Sequence, residues 1–524
     1  MFSTQRDQLF SLVKSLTKAE KRSFKLYANR LQGKGDPKFI QLFDVLDKLT
    51  EYDDEQVFKR LPGVKKRHLY NLKRHLYKQL LISLRLIYIS KKIDIQIREQ
   101  IDFARILYGK GLYMQALKLL DRIKQTALDH HQDILHLEIL EFEKLIEARH
   151  ITRSRAVANK MEDLLDDAAR RSYVTHTTSR LSNLNIQVQG WYIQHGHVRN
   201  EEDLTEVKAF YDAVFPDDLE LDRLTFFDKA NLFQSKMWYA YIQLDLPAGR
   251  RHALQWVSLF EVHPQMREKD PDLYMRALYY LLTCCFYLQD RPLFHRYLQQ
   301  FETFYQEAEQ QFNVNSKMIA FVYLNLSRLN LHFLGGAFAQ GLRRVPSILR
   351  ELKVYRDLMD MHRTLLLYYK IAYLHFGCGQ FDQALDYLNK ITAINTGFLR
   401  EDLLFNARLL HLICHYELDN RDLLDYLIPS LQRAFEKARE ISAWQTATLQ
   451  FLRHLNRMPK LEVGTDKAFQ EFKEKMAGMS DNAFEQKEIL YLDIPSWVES
   501  HLQHCTIQEL HSRQESRADI ESPS

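Results

Sequence analysis

Residues 368–391 read YYKIAYLHFGCGQFDQALDYLNKI. This stretch predicts two short helices folded against each other. The first ends near Phe376, Gly377 and Gly379 punctuate the turn, and Phe381 opens the second. Ala372 and Ala384 are small where the two helices must approach closely. Phe381 and Leu388 are large where the space between them must be filled. A hairpin of this size cannot bury its own apolar face, so it predicts neighbours of the same kind.

The same constellation recurs. Phe103-Ala104, Gly111-Leu112-Tyr113, Ala116 and Leu120 repeat it with Ala104 seven residues before Gly111, as Ala372 is before Gly379. A third copy runs Leu329, Gly336-Ala337-Phe338, Gly341 and Val345, with Gly341 in place of the packing Ala. This arrangement of small residue, Gly, aromatic, Ala and apolar residue resembles the tetratricopeptide repeat. Between these copies the pattern is degenerate, with turns expected at Pro247-Ala248-Gly249, Gln289-Asp290-Arg291-Pro292 and Asp419-Asn420. Gly190–Gly196 and Phe215-Pro216-Asp217-Asp218 are expected to break long helices.

The resemblance implies a right-handed α-solenoid of about eight TPR-like hairpins over residues 93–455. It also implies that the first helix of each hairpin lines a concave face and that partner contacts come from its non-packing positions. Those are Arg98, Arg105 and Tyr108 in the first copy, Tyr323, Asn330 and Phe333 in the third, and Tyr369, Tyr373 and Phe376 in the opening stretch. The plainer reading is that a neighbouring repeat buries these aromatics. The Lys/Asn/Lys/Arg set with which some family members clamp a C-terminal carboxylate is not matched.

Composition agrees with a helical array. Hydrophobic residues make up 46% of the 524 and aromatics 12%, enough for a continuous buried seam. With only 16 Gly and 12 Pro, helices are seldom interrupted. No alternating run of β-branched residues suggests a sheet, so the expected class is all-α. The first ten residues, MFSTQRDQLF, lack the basic and apolar regions of a secretion signal. The most apolar windows, Leu273–Leu288 and Leu365–Phe376, are shorter than the roughly 20 residues a membrane span needs, and Arg276 and Lys370 sit inside them. Cys284, Cys285, Cys378, Cys414 and Cys505 form no metal-binding spacing, and reduced thiols in a cytoplasmic protein are expected.

Charge is unevenly distributed. Residues 1–92 carry 21 Lys and Arg against 9 Asp and Glu, leaving 51 against 59 for the rest. Within this basic head, Thr17 and Glu20 form a capping box for a helix through Ala28. Further helices are expected at Phe39–Leu49, Asp53–Leu61 and Lys65–Ser90. On the last, Arg67, Arg74, Lys78, Arg85 and Lys92 share one face, while Leu69, Leu72, Leu76, Leu80 and Ile87 share the opposite one. A solvated face is the plain reading of that stripe, and an acidic protein surface or nucleic acid are the functional ones. Asp53–Leu72 also has the outline of a helix-turn-helix, with Gly63 in the turn, although Lys59 and Pro62 depart from the motif.

No phosphate-binding loop, dinucleotide fingerprint, zinc-protease motif or serine-nucleophile elbow is present. Asp129-His130-His131 with His136, and His195 with His197, read as surface or packed histidines. Glu162, Asp163, Asp166 and Asp167 are followed by Arg170 and Arg171 at a spacing of four, which reads as ion-paired surface. The expectation is therefore a non-enzymatic interaction protein without cofactor or metal, binding a protein or peptide partner. It has a basic head at 1–92, the array at 93–455, capping helices at 456–505 and a disordered tail at 506–524. The alternative is a nucleic-acid-binding regulator that uses the head on nucleic acid and the array to sense a peptide or partner. Neither the partner nor the oligomeric state can be read from these residues.

Overall fold

The computed structural model describes residues 8–30, 38–61, 64, 66–150, 160–198, 200–356, 358–393, 401–437, 442–458, 462–478 and 492–513. These residues are all-α, with no strand among them. The chain divides into two units, Met1–His176 and Thr177–Ser524.

In the first unit, α1 (Gln8–Ser15), α2 (Lys18–Arg30), α3 (Lys38–Lys48), α4 (Asp54–Arg60) and α5 (Lys66–Tyr88) form the basic head. The capping box is present: Thr17 Oγ1 accepts from Glu20 N, and Glu20 Oε2 accepts from Thr17 N at 2.7 Å. Phe24, Phe43, Leu46, Val57, Leu69, Leu76 and Leu80 form the head's core. The hairpin α6 (Ile93–Gly109) and α7 (Tyr113–Asp129) follows, then α8 (Asp133–His150). Ala104, Ala116 and Leu120 are buried as their spacing predicts. This hairpin shares a unit with the head, while its core of Ile97, Ala104, Leu120 and Ile139 is separate from the head's.

Helix α9 (Lys160–His195) carries the chain into the second unit. Gly190 lies inside α9 and breaks nothing; the helix stops only before Gly196, which takes φ +74°. Arg171 of α9 turns to Asp133 and Asp167 lies 3.5 Å from His136. The expected spacing-of-four pairing of Asp167 with Arg171 therefore gives way to partners on α8. Burial of His136 between these helices makes cross-helix partners closer than the same-helix one.

The second unit continues with α10 (Glu201–Val214), α11 (Phe226–Ile242), α12 (Leu246–Val262), α13 (Met266–Lys269), α14 (Pro271–Tyr287) and α15 (Arg291–Ala308). Then come α16 (Val314–Leu334), α17 (Phe338–Leu342), α18 (Val345–Tyr355), α19 (Met361–Gly377), α20 (Phe381–Thr392), α21 (Glu401–Glu417), α22 (Arg421–Lys437), α23 (Ala443–Arg457), α24 (Glu462–Ala477) and α25 (Ile494–Leu502). The packing is helical-repeat-like. First helices stack on first helices, α14 on α16, α16 on α19, α19 on α21 and α21 on α23. Each second helix also packs on the next first helix, as α12 does on α14 and α20 on α21.

One backbone device ends these first helices. At Leu244, Gln289, Gly336, Gly379 and Asp419 the chain enters the left-handed region with φ between 54° and 71°. In each case the next N–H reaches the carbonyl five residues back, for example Gln380 to His375 and Asp290 to Cys285. This is the Schellman turn, in which Gly is the usual residue. Only two of these five sites are Gly, which is why the glycine signal fades between the clear copies. Elsewhere glycine serves close approach: a Cβ on Gly341 would come 2.7 Å from Leu374 Cδ2, and one on Gly377 the same distance from the Phe338 ring.

The end of the described chain returns to the array. Trp497 Nε1 donates to Glu417 Oε1 at 2.6 Å, and His501 stacks on Phe469. Residues 507–513, expected in the disordered tail, form a further helical segment. Ile507 and Leu510 are buried at a helical spacing of three, and Gln508 Oε1 accepts from Ala339 N at 2.7 Å. Two apolar side chains on one face suffice to anchor a segment whose composition is otherwise polar. Residues beyond 513 lie outside those described.

Candidate functional site

The three most instructive first helices are α14, α16 and α19. Asp270, Asn313 and Asp360 cap their N-termini through side chains that accept from Leu273, Ser316 and Arg363 N–H groups. Fixed starts set the rotation of each helix and therefore which side chains meet across the stack. Two rows result. In one, the Tyr279 ring stacks on Tyr323 with centroids 4.2 Å apart, and the Arg363 guanidinium lies 5.6 Å over the other ring contact, Tyr323. Arg363 Nη2 also donates to the Tyr323 hydroxyl at 3.4 Å.

The second row lies seven residues further along each helix. Lys370 Nζ sits 5.3 Å over Phe286 and 5.1 Å over Phe333, and it donates to Asn330 Oδ1 at 2.6 Å. Tyr279 and Phe286, Tyr323 and Asn330, and Arg363 and Lys370 are thus three i, i+7 pairs on one shared face.

This face is recessed. Tyr279, Phe286, Arg363 and Lys370 all retain accessible surface, yet protein surrounds them closely. Burial pushes the Tyr279 and Tyr280 hydroxyls upward and brings the Lys370 ammonium down to about 7. Burial works against Arg363 too, but Tyr323, Asp360 and Tyr280 outweigh it and hold its value above the ordinary one. Arg363 Nη1 pairs with Asp360 Oδ2 at 3.2 Å, whereas Lys370 has no carboxylate partner among the described residues.

The residues expected on the concave face divide. Tyr323, Asn330, Tyr369 and Phe376 are buried between helices. Phe333 and Tyr373 are half-buried and pack on each other and on Phe338. These side chains mainly hold the stack together, and Asn330 and Phe333 additionally seat Lys370. Arg98, Arg105 and Tyr108 belong to the first unit. Arg98 and Arg105 are exposed, Arg105 pairs with Glu138 at 3.0 Å, and Tyr108 packs on Phe142 and His150.

Sequence reasoning missed Tyr279, Phe286, Arg276, Arg363 and Lys370 as site residues. A signal was present for two of them. Arg276 and Lys370 are the charged residues inside the two most apolar windows, and a charge kept in such a window marks a recessed face.

Arg67, Arg74, Lys78 and Arg85 lie on α5, whereas Lys92, expected to extend their face, lies past the helix end at Tyr88 as the N-cap of α6. Arg67, Arg74, Lys78, Arg85 and Lys92 are exposed, while Leu69, Leu76 and Leu80 are buried. Arg85 faces Asp102 at 3.6 Å. Tyr70 and Leu81, also exposed, border the stripe. Pro62, Gly63 and Lys65, which the helix-turn-helix outline needs, lie outside the described residues.

Nucleophile chemistry finds little support. The Cys284 and Cys285 thiols are pushed up to about 12 and the Cys378 thiol to about 11, each by burial, so all three stay protonated near neutral pH. His197 Nδ1 is held 2.8 Å from the Tyr241 carbonyl, and His195 lies against Trp191. Among the described residues no group of three His, Cys, Asp or Glu side chains could hold a metal ion, and no helix is long and apolar enough to cross a membrane. No family model, curated protein or solved structure matches this chain.

Proposed function

We propose that this protein is a non-enzymatic, cytoplasmic interaction protein built on a tetratricopeptide-like solenoid, whose first helices form a groove for an extended segment of a protein partner. The observation that carries the reading is the pair of rows across α14, α16 and α19. Their side chains are recessed but partly accessible, and they combine aromatic area with hydrogen-bonding groups. Such a preformed surface leaves most of the ordering cost to the incoming segment. A photo-crosslinking amino acid placed at Tyr279 should capture short partner peptides, while the same group at exposed His295 of α15 should not. Equal capture at both positions would sink the groove.

A second reading is favoured by the α5 stripe, where exposed cations run beside exposed Tyr70 and Leu81. That mixture suits nucleic acid, since phosphates take the cations and bases stack on aromatics. The full chain should then bind duplex or single-stranded DNA with an affinity that falls steeply as salt rises. Combined Arg67→Glu, Arg74→Glu and Lys78→Glu should abolish it. Wild-type protein indifferent to DNA at low salt removes this reading.

A further inference from the structure

The groove's chemistry goes further than its shape. Arg276 on α14 and Arg363 and Lys370 on α19 lie on or beside the two rows; Asp270 faces Arg276 and Asp360 pairs with Arg363, whereas Lys370 has no carboxylate partner among the described residues. Lys370 spends one of its three N–H donors on Asn330 and packs between Phe286 and Phe333, which supply π-faces but no negative charge. Recessed ammonium groups without a counter-charge are costly, and a ligand that brings one removes the cost.

Resting on the reading of α14, α16 and α19 as a peptide groove, we infer that its occupant is an acidic segment of a partner protein, with one side-chain carboxylate on Lys370 and a second near Arg363. Spacing selects this occupant over a single small anion. Seven residues of helix separate the two cations by about 10 Å. A polyproline-II segment has three residues per turn and rises about 3.1 Å per residue, so acidic side chains three residues apart share one face about 9 Å apart and meet both. One phosphate or carboxylate reaches only one of them. The side chains in contact with Lys370 are Phe286 of α14 and Asn330 and Phe333 of α16, and among the described residues no titratable group offsets its charge. Burial depresses its pKa, so seating a carboxylate there takes up a proton near and above pH 7.

The test uses the full chain and fluorescent peptides of Pro-rich, polyproline-II-forming sequence carrying two Glu at i and i+3. Companion probes place the Glu at i and i+1 or replace both by Gln. The expected order is i, i+3 tightest, and Gln weakest by about tenfold or more. Affinity should fall with rising pH above 7, by up to about tenfold per pH unit, as Lys370 gives up its proton. Lys370→Met should reduce the Glu peptide to the level of its Gln counterpart. Lys370→Arg should restore binding and abolish the pH dependence. Equal binding of Glu and Gln peptides, or an unchanged affinity in Lys370→Met, overturns the inference. If that happens while Tyr279→Ala still weakens both peptides, the groove stands and only its acidic preference falls. If no peptide binds the wild type, both fall together. Displacement of the Glu peptide by inorganic phosphate or free glutamate at matched charge concentration overturns the two-point segment in favour of a small-anion site.

Discussion

Lys370→Met isolates the cost of holding an ammonium between α14, α16 and α19 with an amide oxygen and two aromatic rings for partners. Met fills the same space between Phe286 and Phe333 and carries no charge. In the unfolded chain the lysine titrates near 10.5, and in the fold at about 7. That difference corresponds to about 5 kcal/mol. Because the folded value is the lower one, the unfolded chain binds more protons between pH 7 and 10.5, so stability rises with pH across this window. Below pH 7 the fold bears the whole cost. Losing the two cation–π contacts and leaving Asn330 Oδ1 without its donor takes back about 2 kcal/mol. The net gain at pH 6.5 is then about 3 kcal/mol, enough to raise the thermal midpoint by several degrees. Melting curves of wild type and Lys370→Met from pH 6 to 10 measure it. The gap should be widest at the acid end and close toward pH 10. A variant no more stable than wild type at pH 6.5, or a gap independent of pH, would refute the reasoning.

Other expectations follow from particular contacts. Gly341→Ala drives a Cβ against Leu374 and should cost about 1–3 kcal/mol by thermal melting. Gln289→Gly, at an exposed left-handed position, should stabilise by about 1 kcal/mol in the same assay. For the Glu20 carboxylate, burial raises the pKa, but hydrogen bonds from Thr17 and Tyr88 and the charge of Lys91 outweigh it and hold the value below the ordinary one. Its stabilising contribution is therefore present at neutral pH and lost as pH falls through that lowered value. Glu20→Gln should cost about 1 kcal/mol near pH 7 and almost nothing in strong acid. Removing residues 506–524 deletes Gln508, which faces Cys378 Sγ at 3.6 Å, and should speed thiol modification of Cys378 measured by mass spectrometry.

The three clear hairpin copies were legible because their small residues and glycines are dictated by close packing, and packing leaves a residue-type signature. Ala104, Ala372 and Ala384 are all fully buried. The degenerate copies were harder to read for a backbone reason. Leu244, Gln289 and Asp419 occupy the left-handed position that Gly379 occupies, and the Schellman hydrogen bonds hold them there. The sequence carries the penalty of that conformation without advertising it. The tail failed for a different reason: composition over residues 506–524 is polar, whereas docking of 507–513 depends on Ile507 and Leu510 alone. At the candidate site, the resemblance pointed to helix positions that turn out to hold the stack together. Arg276 and Lys370 were visible only as interruptions of apolar windows, where they had served as evidence against a membrane span, and Arg363 left no such mark.

Those interruptions are informative because of how the chain treats several other recessed cations. Lys124 reaches the fully buried Glu143 at 2.9 Å, Arg328 reaches Glu302 at 2.7 Å, and Arg250 reaches Asp290 at 2.5 Å. Arg171 turns to Asp133. In each case a carboxylate on a neighbouring helix supplies the compensating charge, as burial of a charge requires. Lys370 stands under the same physical demand and receives only an amide oxygen and two aromatic faces. Folding alone would be better served there by Leu or Met, since the ammonium costs more than its neighbours return. A residue that weakens the fold where an apolar side chain would strengthen it is best understood through a compensating charge from outside the chain. That is the same conclusion the i, i+7 geometry of Arg363 and Lys370 reaches from spacing.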